Sequence, residues 1–160
     1  LIESDVMAVG VKFYAPDLCN IYGCSIGAGS QIGAFVEIQR GAVIGQNCKI
    51  MPFAFIPEGV TLEDGVFVGP HVCFTNDRHP SAVNPDGSPQ SKSDWVLERT
   101  LVKSRASIGA GAVIRCGVTI GEAAMIGCGA VVLHDVPAGA TVAGNPARAV
   151  REQLRAKAGI

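Results

Sequence analysis

Aromatic side chains are scarce in this 160-residue chain, at 6%, although hydrophobic residues make up 48% of it. A bulky core packed with rings is therefore a poor fit. The 20 glycines and the many Ile and Val residues suit a thin body filled by branched aliphatics. Charge of one sign is also missing. The formal net charge is −1, which offers no broad basic face to nucleic acid or to an acidic membrane surface. Six cysteines are present, but no CxxC pair and no zinc-knuckle spacing occurs among Cys19, Cys24, Cys48, Cys73, Cys116 and Cys128, so they read as reduced packing residues. No clean apolar run is long enough to span a membrane. The most apolar stretch, 123–144, is interrupted by His134, Asp135, Pro137 and four glycines. The first ten residues, LIESDVMAVG, are too acidic and too weakly apolar for a secretory signal. One soluble, cytoplasmic domain spanning 1–160 is expected.

What the chain does have is a period of six. From Val102 it reads VKSRAS, IGAGAV, IRCGVT, IGEAAM, IGCGAV, VLHDVP, each unit opened by an aliphatic residue with Ala or Val always fifth. Eight more such units run from Ile26 to Cys73. Six matches neither the 3.6-residue turn of a helix nor the two-residue alternation of an ordinary strand. It suits a short flat face followed by a sharp corner, repeated, so that opening and fifth residues point inward. Glycine second in many units is expected to relax the backbone at the corner. The chain therefore coils into a parallel β-helix, all-β in class, whose coils bury one another. Regular hexads are expected over 26–73 and 102–137, after irregular N-terminal coils over 1–25, where a strict frame places Tyr14 and Asn20 at opening positions.

The pattern breaks after Phe74. Val68 and Val102 both open hexads but stand 34 apart, which six does not divide. The loop over 75–100 is rich in Pro, Ser, Asp and Asn, and loops of this length inside compact domains are usually functional. Asn84-Pro85-Asp86-Gly87 has type I turn chemistry. Trp95, the only tryptophan, is expected to dock against a coil or a neighbouring subunit. After Pro137 the hexads fade into Gly144-Asn145-Pro146-Ala147-Arg148, and 147–158 is expected to be a short amphipathic helix capping the open end.

Ile-Gly hexads, an excursion loop with a histidine, and a closing GNPAR together resemble the hexapeptide-repeat acyltransferases. That resemblance implies a left-handed β-helix, acetyl-CoA as co-substrate, no metal, and a homotrimer with active sites between subunits. A narrower likeness runs from Gly65 to Gly121. FTN followed by Pro, and TLVK ahead of the resumed coils, are similar to the bacterial N-acetyltransferases acting on nucleotide-linked 3-amino sugars (UDP or dTDP) for surface polysaccharides. By this likeness the chain acylates such a sugar amine.

N-acylation needs a neutral amine, a held thioester and a donor for the developing oxyanion. His79 suits a general base, since imidazole titrates near neutral pH; substrate contact and a structural role stand beside that reading. In a base-free route Asn76 or Asp77 orients the amine, and Asp77 could also orient the His79 ring. The resemblance places the cofactor at the corners near Ala110 and Cys128. His134 stands where relatives show a basic residue touching CoA phosphates, or it is a plain surface residue. Arg148 of GNPAR matches the residue approaching the adenosine phosphates. Lys103 and Arg115 are weaker phosphate candidates. His71 occupies an outward fourth position, as a solvated, interface or cleft residue.

Three other readings remain in view. O-acylation of a sugar, serine or antibiotic hydroxyl would make His79 an obligatory base. A γ-type carbonic anhydrase needs three converging imidazoles, one pair spaced five apart, a spacing that His71, His79 and His134 lack. A non-catalytic scaffold would need neither loop nor GNPAR.

Overall fold

The computed structural model describes residues 1–150. The hexads become two- or three-residue strands separated by turns, and the strands sort into three sheets of eight, six and five strands, all parallel except for the last strand of the first sheet. The first face carries Lys12–Phe13, Gln31–Ile32, Lys49–Ile50, Phe67–Val68, Ser107–Ile108, Met125–Ile126 and Thr141–Ala143. The second carries Asn20–Ile21, Glu37–Ile38, Phe55–Ile56, Cys73–Phe74, Val113–Ile114 and Val131–Val132. The third carries Ser25–Ile26, Val43–Ile44, Val60–Leu62, Thr100–Val102 and Thr119–Ile120. In the regular region each residue pairs with one 18 positions on, as Gln31 does with Lys49 and Lys49 with Phe67. Three hexads therefore make one coil.

Burial follows the sequence pattern closely. Opening residues such as Ile32, Ile56 and Ile120 are wholly buried, and so are fifth residues such as Val36, Val66 and Val72. Removing each such side chain from water contributes about 1.5–3 kcal/mol. Among the described residues two polar side chains share this interior. Ser30 accepts from the Cys48 amide (3.0 Å) and donates to the Gly45 carbonyl (3.0 Å), whereas the buried Thr100 Oγ1 has no partner among the described residues.

The role of the second-position glycines differs from expectation. The left-handed backbone falls at the fourth position, as at Phe35 (φ 58°), Asn47 (φ 54°), His71 (φ 57°) and Arg105 (φ 61°). The second position needs glycine for proximity. A Cβ on Gly109 would lie 2.6 Å from the Cys128 nitrogen of the next coil, and one on Gly121 only 2.4 Å from that of Ala138.

The first 25 residues do coil, but with slipped steps. Ile2 bridges to Ile21 and Lys12 pairs with Gln31, both 19 on, while Asn20 pairs with Glu37, 17 on. A 3-10 turn at Pro16–Leu18 shifts the frame, so that Tyr14 and Asn20 point outward while Cys19 and Ile21 fill the interior. At the other end, the start of the expected 147–158 helix is a strand. Arg148–Ala149 pairs antiparallel with Thr141–Ala143 and caps the first sheet; 151–158 lies outside the described residues. Among the described residues no helix is long and apolar enough to cross a membrane.

Candidate functional site

The 75–99 loop leaves the prism at the corner between the second and third faces. Val68 pairs with Ile108, 40 residues on, where the regular step is 18, so the loop inserts 22 residues without disturbing the stack. Its neck is closed by several bonds. The Glu98 amide donates to the Asn76 carbonyl (3.0 Å), and Arg78 pairs with Glu98 across the neck (2.6 Å) above Gly117. Below them, the Cys116 amide donates to Thr75 Oγ1 (2.9 Å). Asn76 Nδ2 donates to the Glu58 carbonyl of the preceding coil (3.3 Å), which fixes that side chain to the scaffold.

Asp77 does not orient the ring of His79. Its Oδ1 accepts the backbone amide of His79 (2.8 Å), an Asx turn that sets the direction of the chain. The His79 ring is exposed and makes no hydrogen bond among the described residues. Beside it a cleft of about 480 Å³ is lined by Asp77, Pro80, Ser81, Gln90, Ser91, Lys92 and Trp95. Trp95 is half-buried and lines this cleft together with the loop's own residues.

The tip is ordered by its own polar bonds. Gly87 N–H donates to the Asn84 carbonyl (2.9 Å), confirming the turn. Asp94 accepts from the Ser91 hydroxyl and amide (both 2.7 Å), and the Ser91 bonds hold its carboxyl below the usual range.

Ala110 and Cys128 lie on a different edge, the corner between the first and second faces, one coil apart. The Gly129 amide donates to the Ala110 carbonyl (2.8 Å). Both residues are exposed. Cys128 is thus not a packing residue, and Cys73 is only half-buried, while Cys19, Cys24, Cys48 and Cys116 are in the interior. Burial pushes the Cys24 thiol up to about 11.

Arg148 caps the upper end of the same face, next to the turn that brackets Val131: the Val131 amide donates to Gly144 and its carbonyl accepts from Ala147. His134 is elsewhere, exposed on the loop's own corner beside Asp135, whose carboxylate accepts the Thr119 amide (2.7 Å). The residues expected to act together therefore divide between two edges flanking the second face. Ala110, Cys128 and Arg148 are on one; Asn76, Asp77, His79 and His134 are on the other.

Of the weaker phosphate candidates, Lys103 lines a cleft with Glu122 and Asp135, a poor setting for an anion, and Arg115 is half-buried near the loop's exit. Among the described residues no group of three or more potential ligand side chains could hold a metal ion. Sequence reasoning missed the Arg78–Glu98 clamp, which no local pattern marks. It also missed a stack of Phe35, Phe53 and His71, for which an 18-residue spacing was the available signal.

Residues 41–76 match the family model for the bacterial transferase hexapeptide (six repeats). Over these residues the chain carries the hexapeptide repeat. Its three parallel sheets form the left-handed β-helix of that repeat. The chain is 34% identical over 130 residues to a serine acetyltransferase of Bacillus subtilis, covering 80% of itself and 48% of that relative. A solved hexapeptide-repeat acetyltransferase of Vibrio cholerae, complexed with acetyl coenzyme A, is similar with 26% identity and a TM-score of 0.67, over 81% of this chain and 70% of that one. The acetyltransferase domain of PglB from Neisseria gonorrhoeae, also with acetyl coenzyme A, shares the fold with 24% identity and a TM-score of 0.71, over 89% and 58% of the two chains. The chain spans less than half the length of the curated relatives it matches.

Proposed function

We propose that this chain is an acetyl-CoA-dependent acyltransferase that acetylates the amine of a UDP- or dTDP-linked 3-amino-deoxysugar. The observation carrying the reading is the single excursion of the coil: 22 inserted residues, clamped at the neck, present Asn76, Asp77 and an unencumbered His79. Its placement on a scaffold similar to an acetyl-CoA-bound acetyltransferase supports a transfer site.

The amine nitrogen attacks the thioester carbonyl, the carbon–sulfur bond breaks, and CoA leaves as thiolate. The proton released by the amine passes to the His79 imidazole or to the thiolate. Since the two edges lie on either side of the second face, a homotrimer would complete the site, with the loop of one copy facing the Ala110, Cys128 and Arg148 edge of the next. Acyl-CoA and six cysteines without a disulfide fit a cytoplasmic setting.

A second reading, transfer to a hydroxyl, is favoured by the likeness to serine acetyltransferase. One experiment separates them. Thiol release from acetyl-CoA is followed with UDP- and dTDP-linked 3- and 4-amino sugars and with serine, for wild type and His79→Ala. Turnover of an amino sugar that survives His79→Ala within about tenfold supports the amine route. Turnover confined to a hydroxyl acceptor and abolished in the variant overturns it.

A further inference from the structure

Three rings lie one above another along the corner between the first and second faces. Phe35 and Phe53 stack with centroids 4.8 Å apart and planes 10° from parallel; Phe53 and His71 stack at 4.7 Å and 3°. Each occupies the fourth position of its hexad, one per coil, with φ of 58°, 64° and 57°. A bulky residue at positive φ is an outlier. Elsewhere Gly29, Asn47 and Gly65 fill the same position, at less cost to the backbone. The rings are also poorly covered, Phe35 remaining 49% and Phe53 48% exposed.

The stack stops at His71, although the corner does not. Gly111 takes the next rung and its amide donates to the Pro70 carbonyl, as that of His71 does to Pro52. Gly129 takes the rung after. A Cβ on either glycine would meet nothing within 4 Å. Above His71, then, the backbone keeps its register while the side chains are missing, leaving room for a flat group one rung deep. The amides of Ala110 and Cys128 beside this space donate no hydrogen bond among the described residues.

We propose that the open face of His71 is a stacking platform for the base of a nucleotide, which continues the ladder as a fourth ring over Gly111. A planar base matches the parallel rungs, and the glycine floor lets it approach closely. The oxygens of a nucleotide ligand can also pair the Ala110 and Cys128 amides, which an apolar side chain from a second copy would leave unpaired. The inference rests on the acyltransferase reading only for the source of the base: the adenine of CoA, or the pyrimidine of a nucleotide-linked sugar.

The test uses the full chain and three probes, CoA, pantetheine and UMP, titrated calorimetrically into wild type, His71→Gly and Gly111→Phe. His71→Gly removes the platform and relieves the backbone. Gly111→Phe fills the space with a residue that Phe35 and Phe53 show to be tolerated at such φ. Loss of base stacking lowers affinity roughly tenfold or more. A loss in both variants for CoA but not pantetheine assigns adenine, and one for UMP assigns the pyrimidine. Unchanged binding of every probe overturns the platform, as does a change only in sedimentation, which would mean that a second copy's side chain fills the space. Thiol release by wild type keeps the two readings apart. Transfer that persists with variants binding as wild type sinks the platform alone; a wild type that neither binds CoA nor releases thiol sinks the acyltransferase reading.

Discussion

Arg78 and Glu98 stand 20 residues apart in sequence and meet at 2.6 Å across the neck of the 75–99 loop, over Gly117. The pair is partly exposed, so it contributes little to global stability, about 1 kcal/mol or less. Its value is positional, because it fixes the segment bearing Asn76, Asp77 and His79. Arg78→Ala is expected to shift the unfolding temperature by no more than about 4 °C while lowering acyl transfer roughly ten- to hundredfold. Thermal unfolding and thiol release measured on one preparation check both halves. A wild-type rate in the variant would strip the pair of this role.

Gly109 and Gly129 separate two uses of glycine. In Gly109→Ala the new methyl is driven onto the Cys128 amide, and overpacking of that kind costs about 3 kcal/mol. In Gly129→Ala nothing is in the way, so the cost is that of a positive φ, about 1 kcal/mol. Denaturant unfolding should rank Gly109→Ala as clearly the less stable. The reverse order would return the second-position glycines to the backbone-relaxing role first expected of them.

Thr100 offers a gain. Its hydroxyl is buried, without a partner among the described residues, at an inward position held by Val60 one coil earlier and Val118 one coil later. Thr100→Val keeps the shape and removes an unsatisfied group, so stability should rise by about 1 kcal/mol. Scanning calorimetry would show an upward shift of a few degrees; a fall would indicate an unseen partner for the hydroxyl.

Thiol chemistry tests whether the Ala110 and Cys128 corner holds CoA. At neutral pH a maleimide should modify Cys128 well before the four interior cysteines, and CoA should slow that modification if it occupies this corner. The Cys24 thiol, raised by burial to about 11 from an ordinary 9.0, gives a linked effect of known sign. The folded protein holds this proton more tightly than the unfolded chain, so the contribution is fully present below pH 9 and is lost as pH rises through about 11. Denaturant unfolding of Cys24→Ala should show less loss of stability over that window than wild type.

The fold was legible because one geometric demand recurs in every coil. Ile26, Ile32, Ile38 and Ile44 face the same interior, and a pattern repeated so often survives the slips at Tyr14 and Asn20. The purpose of a glycine was not legible, since a residue without a Cβ looks the same whether it serves a dihedral or a near neighbour. The start of the tail departs for a different reason. Ala147, Arg148 and Ala149 favour a helix locally, but Thr141–Ala143 offers an open sheet edge, and pairing with it satisfies backbone groups that helical propensity cannot outweigh. At the loop, residue types could nominate Asn76, Asp77 and His79. They could not show that Asp77 turns to an amide, or that Ala110 and His134 lie on separate corners. The rings of Phe35, Phe53 and His71 were visible in principle, at every third hexad, but reading in sixes hides a relation that exists only between coils.

Leu62 pairs with Val102 as though the intervening excursion were absent. The framework is thus mechanically insulated from whatever emerges at that corner, and the entropic penalty for a longer tether grows only logarithmically with its length. The projecting segment behaves as an exchangeable cassette, so a different insert can be grafted between Phe74 and Thr100 with the column beneath left untouched.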